Sequence, residues 1–287
     1  MSLKICVLAS GSRGNCTLVA SPATRILVDA GLSGRRTIEC LNQLGIEIGE
    51  IDAIVIGHEH SDHVRGLRAL AGRHRRPVYL NRETAEAAGP HLPEKAEVKI
   101  FTNGQPWTVG DLSILPFSVF HDARDPVGFV ISSGGLAVTV ATDLGTPTRL
   151  VRQRLRDSRV VILEANHDPD QLLNGTRPWH LKQRIHSSRG HLSNQAAAGL
   201  LATETGDDLT DVFLAHISLD CNNPERARQV VMESLRSAGK EKVRVRLTYQ
   251  DRISEVVEIT EEPAPDSPVK VETSGLVQME LGPFLTE

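Results

Sequence analysis

The segment His58-Glu59-His60-Ser61-Asp62-His63 constrains this chain more than any other feature of its sequence. It directly follows residues 51–57, an apolar stretch typical of a buried strand. Three histidines and one aspartate, which can all bind a metal, thus lie within six positions after a strand end. We expect a loop here, because side chains two positions apart can converge on one ion while the next two reach a second. Histidines number 11 among 287 residues, so a chance cluster is a poor explanation.

Stretches with strand and helix patterns alternate along the chain. The strands are predicted at residues 4–9, 15–20, 25–29, 51–56, 112–120, 128–132, 136–141, 160–164, 211–215 and 243–247. The helices are predicted at residues 34–44, 63–72, 148–157, 179–187, 193–204 and 224–238. This pattern indicates an α/β protein with one large domain, residues 1–259. Residues 260–287 are expected to form an acidic tail that contains prolines.

The composition excludes several classes of protein. Apolar residues make up 40% and charged residues 24%, which excludes a disordered, collagen-like or coiled-coil chain. No apolar run approaches the roughly 18 residues of a membrane helix, and the first residues do not resemble a signal peptide. The four cysteines lack paired spacing. We therefore expect a cytoplasmic protein with free thiols and no membrane partner.

Charge is distributed unevenly along the sequence. Residues 250–287 hold nine acidic and two basic residues, whereas residues 149–189 hold nine basic and four acidic ones. A basic cluster is often a solvated helix face, but it can also neutralise phosphate groups of a nucleic acid. Both interpretations of the basic stretch stay open from the sequence alone.

The HxHxDH pattern of residues 58–63 resembles the metallo-β-lactamase superfamily. That resemblance extends from residue 3 to about residue 250 and implies an αββα sandwich of two mixed β-sheets flanked by helices. It also implies a later His, Asp and His at strand ends. His121, Asp143 and His216 each follow a predicted strand, in that order.

The resemblance further implies two metal ions. His58, His60 and His121 would bind the first ion, Asp62, His63 and His216 the second, and Asp143 both. Imidazole and carboxylate ligands suit Zn, Mn or Fe. Oxygen-reducing diiron members have Glu at the position of His60, so Fe is disfavoured and hydrolysis is expected, with a hydroxide that bridges the two ions as the nucleophile.

Three further roles are expected from the same resemblance. Asp62 could also orient the nucleophile, and Asp29 occupies the position of a carboxylate that steers a ligand His. The alternative interpretation of Asp29 is a simple turn residue before Gly31. His191, in a motif that resembles the HxS/T motif of the nuclease branch, is the expected proton donor to the leaving group. The alternative interpretation of His191 is a residue that forms a hydrogen bond at the start of a helix.

The glycine-containing loop of residues 10–15 could bind a phosphate. It offers backbone amides together with Ser10, Ser12, Arg13 and Asn15. It lacks the Gly-Lys-Ser/Thr of a P-loop, and a tight turn between two strands explains it equally well.

Five more segments resemble the YycJ/WalJ/VicX group of bacterial proteins. They are LASGSRGN (8–15), HDARDPVGF (121–129), TDLG (142–145), EANHD (164–168) and LAHIS (214–218). The resemblance implies a 5′-to-3′ exonuclease that acts on double-stranded DNA. An RNA-processing nuclease and a hydrolase of small cyclic phosphodiesters, lactones or thioesters are the alternatives.

Overall fold

The computed structural model describes residues 1–261, which form two seven-stranded β-sheets packed face to face. The expected tail, residues 260–287, lies almost entirely outside the described residues. Within residues 1–261 the strands are β1 (Ser2–Ala9), β2 (Cys16–Ala20), β3 (Arg25–Val28), β4 (Ala53–Val55), β5 (Val78–Leu80), β6 (Val98–Ile100), β7 (Trp107–Val109), β8 (Leu112–Ser118), β9 (Val127–Ser133), β10 (Leu136–Ala141), β11 (Val160–Glu164), β12 (Asp211–Ala215), β13 (Arg244–Leu247) and β14 (Val257–Thr260).

Each sheet mixes parallel and antiparallel pairing. The first sheet has the order β14-β1-β2-β3-β4-β5-β6, and the second has the order β13-β12-β11-β10-β9-β8-β7. In the first sheet, β14, β1, β2 and β3 pair antiparallel, and β3 to β6 pair parallel. In the second, β10 to β13 pair parallel and β7 to β10 antiparallel. The carboxyl ends of the parallel strands therefore share one rim of each sheet.

Helices cover the outer faces of both sheets. They are α1 (Gly34–Gln43), α2 (Ser61–Val64), α3 (Arg82–Ala87), α4 (Arg149–Leu155), α5 (Pro169–Asn174), α6 (Trp179–His186), α7 (Asn194–Glu204) and α8 (Pro224–Ser237). The ends of several are fixed by side-chain caps. Ser193, for example, accepts a hydrogen bond from the Ala196 N–H at 3.2 Å and starts α7.

The main core lies between the two sheets. Inward-facing side chains of both sheets meet there, among them Ile5, Val28, Phe129, Val138 and Phe213. Burial of one such side chain stabilises the fold by about 1.5–3 kcal/mol. Two further cores join α1 to the first sheet and α4, α7 and α8 to the second. The predicted αββα sandwich is thus confirmed.

Two local predictions were wrong. The helix expected at residues 63–72 is broken into α2, which begins at Ser61, and a separate π-helical turn, Arg68–Arg73. Asp62 and His63 therefore lie in the first turn of a helix and not in a loop. The break lies at Gly66, where a β-carbon would stand 2.3 Å from the Leu32 carbonyl oxygen.

The edge strand β14 was not predicted, because only four residues with a weak alternating pattern form it. It pairs antiparallel with β1, with Ser2 opposite Thr260.

All four cysteines of the chain lie within the described residues and are free thiols. Cys6, Cys16, Cys40 and Cys221 are buried and unpaired. Among the described residues, none of the helices has both the length and the apolar character needed to cross a membrane.

Candidate metal centre

Seven metal-capable side chains meet at the rim where the strands of both sheets end. They reach it from the ends of four strands, with α2 as an extension of the first: His58 and His60 after β4, Asp62 and His63 on α2, His121 after β8, Asp143 after β10, and His216 after β12. All seven were singled out from the sequence. The structure brings them into one cluster.

One part of the cluster consists of three histidines. Ligand atoms of His58, His60 and His121 all lie within 4.8 Å of one another. Their ring centroids are 4.7 Å apart for His58 and His60 and 5.1 Å apart for His60 and His121. Three imidazoles at this separation match a site for one divalent cation.

The other part consists of Asp62, His63 and His216, whose ligand atoms also lie within 4.8 Å of one another. Asp143 stands between the two parts. Its Oδ2 is 3.2 Å from His63 Nε2, and its Oδ1 is 3.9 Å from His121 Nε2. This arrangement is compatible with the expected allocation of ligands, in which one carboxylate serves both ions.

The backbone at the strand ends is unusual. Asp29, Asp143 and His216 have φ angles of 63°, 56° and 51°, in the left-handed region that residues other than glycine rarely adopt. Each such residue costs about 1–3 kcal/mol unless its surroundings compensate. The chain turns sharply at these positions, and the turn aims the side chain of each residue at the rim.

Asp29 holds His63 in one orientation. Its Oδ2 lies 2.8 Å from His63 Nδ1, and its Oδ1 accepts a hydrogen bond from the Gly57 N–H at 2.9 Å. With Nδ1 engaged in this way, His63 presents Nε2 to the cluster. The contact matches the steering role expected for Asp29.

Electrostatics in the cluster divides the histidines into two kinds. Burial lowers the pKa of His58 well below its usual value. Burial also opposes a positive charge on His63 and His216, but the carboxylates of Asp29 and Asp143 raise the pKa of His63, and Asp143 with Asp62 raises that of His216 to about 9. The same histidines hold the pKa of Asp143 well below its usual value despite its burial.

Two buried atoms of the cluster lack hydrogen-bond partners among residues 1–261: Nε2 of His58 and Oδ2 of Asp143, which is 3.2 Å from His63 Nε2 but without hydrogen-bond geometry. Buried polar atoms almost always have a partner, so each unpartnered one calls for a ligand or ion. Both atoms belong to metal-capable groups and point at the other members of the cluster. The residues present therefore fit a pair of divalent cations.

Glu164 and His191 form a dyad next to the cluster. Glu164 is fully buried, its Oε1 accepts hydrogen bonds from the Leu144 and Leu192 N–H groups at 2.8 and 3.0 Å, and its Oε2 lies 3.0 Å from His191 Nδ1. His191 was predicted as a site residue, whereas Glu164 was noted only as part of the segment EANHD (164–168). Its position as the last residue of β11 was the available signal.

The loop of residues 10–15 divides into two kinds of residue. Ser10 and Asn15 are buried: Ser10 Oγ accepts from the His216 N–H at 2.7 Å and donates to Asn15 Oδ1 at 3.0 Å, and Asn15 Nδ2 donates to Asp62 Oδ2 at 3.2 Å. They hold the cluster in place. Ser12 and Arg13 are exposed and stay candidates for substrate contact.

A pocket of about 200 Å³ opens over the cluster. Arg177, Leu181 and Arg184 form its outer wall. Asp122, which the sequence did not single out, stands 3.3 Å from His121 Nε2 and accepts a hydrogen bond from Arg184 Nε at 2.5 Å. Its place directly after His121 was the available signal.

The basic stretch 149–189 does not form one surface. Arg152 of α4 and Arg156, directly after this helix, pair with Glu204 of α7 at 2.9 and 3.2 Å, on the outer layer of the second sheet. Arg177 and Arg184, in contrast, line the pocket. The two parts of this stretch thus lie in different places: Arg152 and Arg156 pair with a helix of the outer layer, and Arg177 and Arg184 face the pocket.

Known proteins resemble this chain in sequence and fold. Residues 24–216 match the family model of the β-lactamase superfamily domain. Exodeoxyribonuclease YycJ of Bacillus anthracis is 36% identical over 83% of this chain and 91% of its own length. Exodeoxyribonuclease WalJ of Streptococcus pneumoniae is 33% identical over 83% and 90%.

The fold has a solved counterpart in the metallo-β-lactamase fold protein YhfI from Bacillus subtilis. It superposes with a TM-score of 0.70 at 19% identity, over 90% of this chain and 100% of that one. Family model, relatives and fold agree with each other. The chain therefore belongs to the β-lactamase superfamily, as a hydrolase with the metallo-β-lactamase fold.

Proposed function

We propose that this protein is a dinuclear metal-dependent phosphodiesterase, specifically a cytoplasmic 5′-to-3′ exonuclease that acts on double-stranded DNA. The observation that carries the proposal is the position of the Glu164–His191 dyad beside a cluster with places for two cations. The names of the two exodeoxyribonuclease relatives support DNA as the substrate. Four buried free thiols suit a reducing compartment.

Two bound cations would be held by the seven clustered side chains, and they supply Lewis acidity and a water molecule that loses its proton near neutral pH. Zn and Mn both suit this set of imidazole and carboxylate donors. Asp62 is 18% exposed and is fixed by Asn15, so one of its oxygens can accept a hydrogen bond from the attacking water. Asp62 thereby orients the nucleophile toward phosphorus.

His191 provides the proton for the leaving group. Its Nδ1 faces Glu164, so Nε2 is directed to the pocket, where His191 is one of the lining residues. When water oxygen bonds to phosphorus, the P–O ester bond breaks, and the departing alkoxide oxygen takes the proton of His191 Nε2. The buried Glu164 carboxylate holds the His191 ring through Nδ1, 3.0 Å away, in the orientation that this transfer needs.

The outer wall of the pocket favours an anionic substrate. Arg177 and Arg184 carry fixed positive charge on that wall. Guanidinium groups bind phosphate oxygens through paired hydrogen bonds. The cluster can therefore act on the scissile phosphate while the two arginines contact neighbouring ones.

The test is nuclease activity on duplex DNA of two shapes. Protein loaded with Mn, or separately with Zn, is incubated with linear duplex DNA labelled at the 5′ or the 3′ end, and with covalently closed circular duplex. We expect the linear DNA to be degraded, the 5′ label to appear first as a mononucleotide, and the circle to persist.

The negative control is the double variant Asp62→Ala, His63→Ala, which removes two clustered side chains. A matched control is His91→Ala, because His91 lies on a short turn outside the cluster. Cleavage of the circle would contradict exonuclease action. Loss of RNA or of a small cyclic phosphodiester, with duplex DNA intact, would contradict DNA as the substrate.

A further inference from the structure

A second pocket adjoins the one over the metal-capable cluster. It has a volume of about 350 Å³ and shares Ser12 and Arg177 with the first pocket. Pockets that hold small ligands have volumes of about 300–1,000 Å³. The two pockets therefore adjoin, with Ser12 and Arg177 at their shared boundary.

The lining of the second pocket combines positive charge with apolar surface. Arg13 and Arg177 contribute two positive charges against the one negative charge of Asp220. Leu219, which is 64% exposed, and Ile217 supply the apolar part. A nucleotide has this same combination, with an anionic phosphate on one side and a base with an apolar face on the other.

The loop that carries Arg13 is fixed before any ligand arrives. Gln250 Oε1 accepts from the Arg13 N–H at 2.8 Å, and Gln250 Nε2 donates to the Gly14 carbonyl oxygen at 3.0 Å. Arg65 also donates to the Arg13 carbonyl oxygen at 3.1 Å. The backbone is thus held on three sides, while the Arg13 guanidinium forms no hydrogen bond or ion pair within residues 1–261. A fixed backbone lowers the entropic cost of binding.

Arg177 stands where the two pockets meet. One of its terminal nitrogens contacts Asp220 Oδ2 at 2.5 Å, and its Nε is buried without a hydrogen-bond partner in the described part of the chain. Asp220 is 68% exposed, so this ion pair contributes little to stability. An incoming phosphate can replace the carboxylate and use donors of Arg177 that the ion pair leaves free.

We propose that the second pocket is a subsite for the nucleotide next to the scissile phosphate. Arg13 and Arg177 bind the phosphate of that nucleotide, and Leu219 packs against its base or sugar. This inference rests on the proposed phosphodiesterase function, because it needs a nucleotide chain that crosses the metal-capable cluster.

The test uses a probe that spans both pockets. We measure the affinity of the metal-loaded protein for thymidine 3′,5′-bisphosphate and for inorganic phosphate, and we compare the ratio of the two dissociation constants between variants. The wild type is expected to bind the bisphosphate at least about tenfold more tightly, since one charge-assisted hydrogen-bond pair alone gives such a factor. Arg13→Gln should remove most of that preference. Its side chain is exposed, so folding is unaffected.

The matched control is Arg236→Gln, which removes the same charge from an exposed position on α8. It should keep the preference of the wild type. Equal losses in both variants, or a wild type with no preference, would overturn the subsite. Hydrolysis of linear duplex DNA is measured separately: its absence with a normal Arg13 effect would contradict the proposed DNA exonuclease, and the subsite would then belong to a phosphodiesterase with another substrate.

Discussion

The two walls of the pocket are built in opposite ways. The wall that carries the metal-capable side chains is buried and cross-linked by hydrogen bonds between residues far apart in sequence, such as Ser10 with His216. The opposite wall is α6, none of whose residues is buried and whose Trp179 is 62% exposed. Its links to the rest of the rim include the ion pair of Arg184 with Asp122.

This difference separates chemistry from substrate fit. An exposed ion pair contributes about 0–1 kcal/mol, whereas a buried group that loses its partner costs about 1–3 kcal/mol. The α6 wall can therefore open locally at low free energy, and the cluster wall cannot. Substitutions in the α6 wall should alter substrate affinity, and substitutions in the cluster wall should alter turnover or metal binding.

Removal of the proton donor should have the largest effect. His191→Ala is expected to lower kcat on linear duplex DNA by about 10²–10⁴-fold, because the leaving oxygen then departs without a proton. Glu164→Gln should lower it less, since His191 is kept but loses its charged partner. Kinetics and metal content are measured together. A drop in bound metal in proportion to activity would make His191 a ligand and contradict this role.

Loss of Asp29 should weaken metal binding. Asp29→Ala removes the carboxylate that contacts His63 Nδ1, and loss of such a partner typically costs about 10–100-fold in metal affinity. The measurement is competition with a chelator of known affinity. Asp111→Ala serves as a control, because its carboxylate is bound by Ser21 at a different place. Unchanged metal affinity in Asp29→Ala would mean that the hydrogen bonds of the cluster wall contribute little to metal binding.

Metal affinity should rise with pH. Carboxylates raise the pKa of His63, and that of His216 to about 9, so both are protonated at pH 7 without metal and must lose a proton to bind it. Affinity is expected to rise by up to about tenfold per pH unit for each displaced proton between pH 6 and 8. Titrations at three pH values with proton release followed by an indicator dye test this. Affinity independent of pH would show that these histidines do not bind the ions.

The smallest effect is expected on the α6 wall. Arg184→Gln should raise KM for duplex DNA about fivefold and leave kcat within a factor of two, since one phosphate contact of about 1 kcal/mol is lost. Arg189→Gln, at an exposed position of the same segment, is the control. A fall in kcat with KM unchanged would place Arg184 in the chemical step and erase the difference between the walls.

Residues at strand ends could be predicted from the sequence, because a strand pattern also shows where the strand stops. The resemblance implied a His, an Asp and a His at strand ends, and the strand patterns then located His121, Asp143 and His216. The αββα fold was predicted from the resemblance together with the alternating pattern. The helical position of Asp62 was not, because α2 has only four residues and its hydrophobic periodicity cannot be read.

Contacts between distant segments could not be predicted. Ser10 and Asn15 were expected only as candidates for substrate contact, and their hydrogen bonds to His216 and Asp62, across 206 and 47 positions, could not be predicted. The role of Glu164 depends likewise on His191, 27 positions away. Such contacts follow from how the sheets pack and leave no local pattern in the sequence. The domain boundary at residue 259 stays a prediction.

The pairing of β1 with β14 has a consequence for the order of folding. The register pairs Ser2 with Thr260, so this edge of β1 has no partner strand until some 250 more residues have been synthesised. At about 5–20 residues per second, a ribosome needs roughly 10 to 50 seconds to supply it. During this time β1 presents unpaired backbone groups to other chains. The nascent protein is therefore most prone to aggregation before β14 emerges, and chaperones that cover this edge should increase its yield.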